Sequence, residues 1–113
     1  MKIEQLSDGL SVTGQLRPEH IAGCRRDGFR SVICNRPDGE AAGQPAFAEV
    51  AAEAQRFGMQ AYHLPVVPGA IAPADVRQFA SLLANLPKPI LAYCGTGKRA
   101  STLWAMTHAL SDS

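Results

Sequence analysis

Apolar positions along this chain recur at two spacings, and stretches of the two kinds alternate. Residues 29–34, 59–64 and 89–93 are short, mainly apolar runs fenced by glycine or proline, and they read as strands. Between them the period is helical. Phe47, Val50, Ala51, Ala54 and Phe57 share one face of a helix that starts near Pro45 and stops at Gly58. Val76, Phe79, Leu83 and Leu86 share a face of another that starts at Pro73. Arg17-Pro18-Glu19 puts proline in a first helical turn, and Gly28 ends that helix. The opening, with Ile3, Leu6, Leu10 and Val12 around Asp8-Gly9, predicts a small hairpin at a sheet edge. Ala100, Leu103, Trp104, Met106, Thr107 and Leu110 predict a last helix, apolar over more than half its girth as buried helices are.

Alternating strands and helices predict an α/β fold, a central, mostly parallel sheet of about four to five strands flanked by helices. Ligands of such sheets bind beyond the carboxyl ends of the parallel strands. Three segments converge there: the loop after Cys34, the loop after Leu64, and the loop of Cys94.

Composition narrows the classes. A chain of 113 residues, 46% hydrophobic and 19% charged, suits one folded domain spanning residues 1–113, with no repeat, linker or low-complexity tract. The formal charge of +1 offers no basic face for nucleic acid. No apolar stretch is long enough to cross a bilayer, and residues 1–5 lack the apolar region of a signal peptide, so the expected compartment is the cytoplasm. Cys24, Cys34 and Cys94 form neither a disulfide framework nor a zinc signature, and no metal or cofactor is expected. Nucleophilic or redox chemistry is the more natural use of a thiol here.

The strongest chemical signal is Cys94, delivered by a strand into Gly95-Thr96-Gly97-Lys98-Arg99 just where a helix begins. A helix start carries unpartnered N–H groups and the positive end of the macrodipole, and so favours an anion. The two glycines let successive amides converge, and Lys98 and Arg99 add full charge. Such surroundings favour a thiolate, and Cys94 reads as a nucleophile with Gly95, Thr96, Gly97 and Lys98 as its anion-binding loop.

A strand, a cysteine, a short glycine-containing loop, an arginine and a helix resemble the phosphate-binding loop of cysteine-dependent phosphatases and the active loop of rhodanese-type sulfurtransferases. Protein tyrosine and dual-specificity phosphatases place one residue more between Cys and Arg; the loop from Cys94 to Arg99 has the rhodanese length. Val32-Ile33-Cys34-Asn35-Arg36-Pro37-Asp38-Gly39-Glu40, Tyr62-His63-Leu64-Pro65-Val66, Ile90-Leu91-Ala92-Tyr93-Cys94 and Ser101-Thr102-Leu103-Trp104-Ala105 resemble the phosphatase-like domain of β-lactamase hydrolase-like proteins, also called DUF442. That resemblance spans nearly the whole chain. It implies the dual-specificity-phosphatase-like three-layer α/β sandwich, and a domain found alone or fused to persulfide dioxygenase-like metallo-hydrolases or sulfide:quinone oxidoreductases, either of which is then a partner to expect. Family loops continue Arg-Ser, whereas this chain has Arg99-Ala100-Ser101, which puts in question a bond from Ser101 to the thiolate.

A phosphatase also needs an acid to protonate the departing alkoxide. Dual-specificity phosphatases carry an Asp for this in the loop that corresponds here to residues 65–72, which holds no carboxylate. Asp38 and His63 are the only nearby substitutes. Sulfur transfer has no such need, because the leaving group is already a stable anion, and a compact loop fits one sulfur better than a phosphate. On these grounds a sulfurtransferase ranks first, moving sulfane sulfur through a Cys94 persulfide with Arg99 as cradle. A phosphatase acting through a Cys94 phosphocysteine ranks second, and a non-catalytic anion-binding module third. The substrate in each case is a small anion, thiosulfate, a persulfide or a phosphate ester. Accessory candidates are Cys34, either a core residue or a resolving thiol of the kind some dual-specificity-like phosphatases use, and Arg36, either a second anion contact or half of a solvated ion pair with Asp38 or Glu40. Tyr62, Tyr93 and Trp104 read as packing residues, and His20 and His108 as structural.

Overall fold

In the computed structural model, which describes residues 2–111, five strands form one sheet in the order β1-β2-β5-β3-β4. The strands are β1 (Glu4–Ser7), β2 (Leu10–Thr13), β3 (Ser31–Cys34), β4 (Gln60–His63) and β5 (Ile90–Tyr93). Only the β1–β2 pair is antiparallel; β2–β5, β5–β3 and β3–β4 are parallel. The hairpin therefore supplies one edge strand, β1, while β2 is drawn inside the sheet. Four helices cover it: α1 (Ile21–Arg26), α2 (Phe47–Arg56), α3 (Pro73–Asn85) and α4 (Lys98–Ser111).

Side-chain alternation along the central strands builds the two cores. Ile33, Ile90 and Ala92 face the α3–α4 layer, where Val76, Phe79, Ala100 and Leu103 are buried against them. Val32, Cys34, Leu91 and Tyr93 face the other way, onto Ile21, Cys24, Val50 and Ala54 of α1 and α2. This is the expected three-layer α/β sandwich. Tyr62, expected to pack, is a correction: it lies on the edge strand β4 and is 46% exposed, beyond the cover of the helices. The side chain of Leu110, expected on the buried face of α4, lies outside the described residues.

The helices start and stop where the sequence provides for it. Glu49 and Asp75, in the first turns of α2 and α3, reach back to the amides of Ala46 and Ala72 at 3.1 and 2.9 Å. The proline-led segment is a 3-10 turn, Pro18–His20, before α1 begins, and Gly28 ends it with φ +100°. Among the described residues no helix is long and apolar enough to cross a membrane.

The carboxyl ends of the strands stay tied to one another past the sheet. Asn35 N–H donates to the Tyr93 carbonyl at 2.8 Å, Leu64 N–H to Cys34 at 2.8 Å, and Cys94 N–H to Thr13 at 3.4 Å. Fully buried Asn35 also donates its side-chain N–H to the Leu64 carbonyl at 3.1 Å, and its backbone carbonyl accepts the Val66 N–H at 3.1 Å. These bonds draw the loops after Cys34, Leu64 and Tyr93 together at one end of the sheet.

Candidate active site

Cys94 is the first residue past β5 and is buried. Its sulfur accepts the Gly97 amide at 3.0 Å, so the loop does turn a backbone N–H onto the thiol. Two glycines make that curl possible. Gly97 has φ +92°, and a Cβ there would come within 3.4 Å of the Thr13 carbonyl; Gly14, facing the loop, leaves room for the Gly95 carbonyl, which a Cβ would meet at 3.2 Å. Helix α4 then begins at Lys98, two residues earlier than the apolar pattern predicted, which places Lys98 and Arg99 in its first turn. The reason lies in backbone bonding rather than apolar spacing: Lys98 N–H is received by Thr96 Oγ1 at 3.3 Å, and Ser101 N–H by the Gly97 carbonyl at 3.1 Å.

Arg99 folds back over the loop. Its guanidinium is near enough to the Cys94 sulfur for the two to interact electrostatically, and a Cβ on Gly95 would sit 3.4 Å from its Nη2. The hydrogen-bonded Glu40 carboxylate, more than the nearby thiol, raises the Arg99 pKa further above its ordinary range. Glu40 receives Arg99 Nη1 and Nη2 at 2.7 and 2.8 Å and Arg36 Nε at 2.8 Å. The hydrogen bonds from Arg99 and Arg36 hold its carboxyl near a pKa of about 2. Arg36 is thus neither a lone anion contact nor a merely solvated partner of Glu40. It is mostly shielded, shares the carboxylate with Arg99, and gives Nη1 to Gln15 Oε1 at 3.0 Å. Gln15, Gly14 and the Val66 carbonyl, which accepts Arg99 Nη1 at 3.2 Å, are parts that sequence reasoning missed, and Glu40 was expected only as a partner of Arg36, not as its bridge to Arg99. The only signal for Glu40 was its i,i+4 spacing from Arg36.

The other candidates are engaged elsewhere. The Asp38 carboxylate accepts the Phe47 amide at 2.8 Å, at the start of α2. His63 Nε2 lies 2.8 Å from the Arg36 carbonyl, and its ring stacks on Phe47 with centroids 4.7 Å apart. Ser101 gives its hydroxyl to the Gly97 carbonyl at 3.1 Å, not to the Cys94 sulfur. Cys34 is packed in the α1–α2 layer, its thiol 3.3 Å from the Arg36 carbonyl and facing the buried Tyr93 hydroxyl. Burial pushes its pKa up, and that of Tyr93 as well. Lys98 is exposed and lines a groove of about 590 Å³ on the other flank of the loop, between the β1–β2 hairpin and α4, together with Lys2, Thr13, Thr96 and Gly97. Cys94 does not line that groove.

A cysteine at a strand-to-helix turn beneath an arginine, on a sheet covered on both faces, defines a phosphatase-like α/β domain. Residues 2–111 match the family model of the phosphatase-like domain of beta-lactamase hydrolase-like proteins, and the chain belongs to that family. The beta-lactamase hydrolase-like protein of Xylella fastidiosa (strain Temecula1) is 33% identical over 110 residues, a match covering 97% of this chain and 26% of the relative. The chain thus spans about a quarter of the length of the curated relatives it matches. A Neisseria meningitidis protein of known structure, described as a candidate phosphatase, is similar with a TM-score of 0.92 and 34% identity, covering 100% of this chain and 80% of that one. The core catalytic domain of the PP-IP phosphatase SIW14 from S. cerevisiae, solved in complex with citrate, has a TM-score of 0.75 at 17% identity, covering 98% of this chain and 67% of that one, a likeness of fold alone.

Proposed function

We propose that this domain is a cysteine-dependent phosphatase whose substrates carry leaving groups that depart without a proton. The observation that carries the reading is the juxtaposition of the Cys94 sulfur, the Gly97 amide at 3.0 Å and the Arg99 guanidinium at the mouth of α4. The family and the Neisseria relative support it as well, and reverse the order that the loop length and the missing acid suggested. In the first step the Cys94 thiolate attacks phosphorus; the S–P bond forms, the P–O bond breaks, and the leaving oxygen takes the electron pair. Arg99 and the loop amides stabilise charge on the equatorial oxygens. Water then attacks phosphorus, the S–P bond breaks, and inorganic phosphate and the thiolate are released.

The restriction on leaving groups follows from where the carboxylates are. Asp38 is bound to the amide at the start of α2, Glu40 is clamped between two guanidiniums with a pKa of about 2, and residues 65–72 hold no carboxylate. None is placed to deliver a proton at neutral pH. A missing acid costs ~10²–10⁴ in rate on an alkyl ester and little on an aryl ester or phosphoanhydride, whose leaving group is stable as the anion.

Turnover of p-nitrophenyl phosphate and of glycerol phosphate tests this directly. The expected result is aryl-ester hydrolysis, abolished in Cys94→Ser, with kcat/KM at least ~10² above the alkyl ester. Equal rates on both esters, or activity surviving in Cys94→Ser, would reject the proposal. Sulfur transfer is the second reading, favoured by the four residues between Cys94 and Arg99 and by its indifference to an acid. A gain of one sulfur atom on Cys94 in the intact mass after thiosulfate treatment, with no phosphatase turnover, would put it first.

A further inference from the structure

A guanidinium has five N–H donors, and Arg99 commits three of them. Nη1 serves Glu40 Oε2 at 2.7 Å and the Val66 carbonyl at 3.2 Å, and Nη2 serves Glu40 Oε1 at 2.8 Å. What remains is Nε–H and the second Nη2 hydrogen, the pair lying side by side along one edge of the plane, which is the edge suited to two oxygens of one oxyanion. Nη2 stands over Gly95, the residue next to Cys94, at 3.4 Å from where a Cβ would sit. Arg36 stands next to it: its Nε and Cζ both lie 3.5 Å from the same would-be Cβ of Gly95, with Nε on Glu40 Oε1 at 2.8 Å and Nη1 on Gln15 Oε1 at 3.0 Å. One carboxylate from the loop after Cys34 therefore bridges two guanidiniums and fixes both above the nucleophile's loop.

We propose that Glu40 is a positioning residue, which holds the free edge of Arg99 toward the phosphoryl group at Cys94 and sets Arg36 beside it as a second guanidinium for the substrate's oxygens. The proposal rests on the phosphatase reading and deepens it. Its energetic content is a trade. Glu40 neutralises one of the two positive charges, which weakens ground-state attraction for a phosphate dianion, and in exchange it fixes the direction in which the remaining donors face. Only interactions stronger in the transition state than in the ground state raise kcat, and orientation is of that kind.

Two variants in the full chain separate this role from a merely structural one. In Glu40→Gln the bridging charge is gone: kcat on p-nitrophenyl phosphate falls by up to about 10²-fold, while inorganic phosphate, measured by competitive inhibition and by calorimetry, binds as tightly as in the wild type or tighter and with a steeper dependence on salt. In Glu40→Asp the charge stays but the reach is one methylene short: kcat falls similarly, and phosphate affinity returns to the wild-type value. Damage to the fold moves both quantities in the same direction, so a parallel loss of kcat and of phosphate binding overturns the proposal, as does an unchanged kcat in Glu40→Gln. A third measurement needs no turnover. The Arg99 Nε–H resonance, followed by NMR, should exchange slowly with water and shift when inorganic phosphate is added to the wild type, and should exchange several-fold faster in Glu40→Gln. Should the wild type hydrolyse no ester, the phosphatase reading fails by itself while this measurement still decides the role of Glu40; equal exchange in the two proteins refutes it.

Discussion

Asp38 and Phe47 are joined across their loop by a 2.8 Å hydrogen bond from the Phe47 amide to the Asp38 carboxylate, at the point where α2 begins. A carboxylate there satisfies an orphan N–H and meets the positive end of the helix, an interaction worth about 0.5–2 kcal/mol when removed from a helix start. Asp38 thereby serves the fold. Asp38→Ala should lower stability in chemical denaturation by about that amount and leave kcat on phenyl phosphate, whose phenolate leaves less readily than p-nitrophenolate, within about threefold of the wild type, where loss of a general acid would cost ~10² or more on a poor leaving group. A large loss of kcat at unchanged stability would return Asp38 to the chemistry.

Gly97 faces the carbonyl of Thr13 with φ +92°, and an added Cβ would stand 3.4 Å from that carbonyl. Gly97→Ala combines a backbone strain of about 1–2 kcal/mol with pressure on β2. The expected outcome is a lower melting temperature together with loss of turnover, because the Gly97 amide is the one that bonds the Cys94 sulfur. Gly23, where a Cβ meets nothing within 4 Å, is the control: Gly23→Ala in α1 should leave activity intact.

Acid should act on the site through Glu40. Its folded pKa of about 2 lies below the ordinary 4.5, set first by the hydrogen bond from Arg99 and then by that from Arg36. A carboxylate with a depressed pKa contributes stability that is complete above its unfolded value and is lost as pH falls through its folded value. The melting-temperature difference between wild type and Glu40→Gln should therefore hold steady above pH 4.5 and shrink as pH falls toward 2. A difference that widens on acidification would contradict the ion-pair geometry.

Cys24 and Cys34 are both buried, and desolvation lifts the pKa of each. Iodoacetamide near neutral pH should leave both unmodified in the native protein and label both after unfolding in guanidinium, read by peptide mass mapping. Native labelling of Cys34 would show that its packing against Tyr93 opens far enough for chemistry with other thiols.

Local spacing decided much of this protein. The two periodicities placed the β-strands and helices, because a strand buried on both faces must be apolar throughout and a helix against a sheet must be apolar on one side. The glycines and Arg99 following Cys94 likewise marked the loop that curls the Gly97 amide onto the Cys94 sulfur, since curling amides and a cation are local requirements written in adjacent residues. Tertiary structure alone decided which charges meet. Arg36 and Glu40 are one helical turn apart in number, but nothing in their spacing says that Arg99, 59 residues later, closes on the same carboxylate. Nor does it say that Asp38 turns to α2, that Ser101 bonds the Gly97 carbonyl, or that Tyr62 stays on an uncovered edge. The order β2-β5-β3 and the bonds of Asn35 bring distant loops to one end of the sheet, and ion pairs form between whatever side chains that topology brings within a few ångströms.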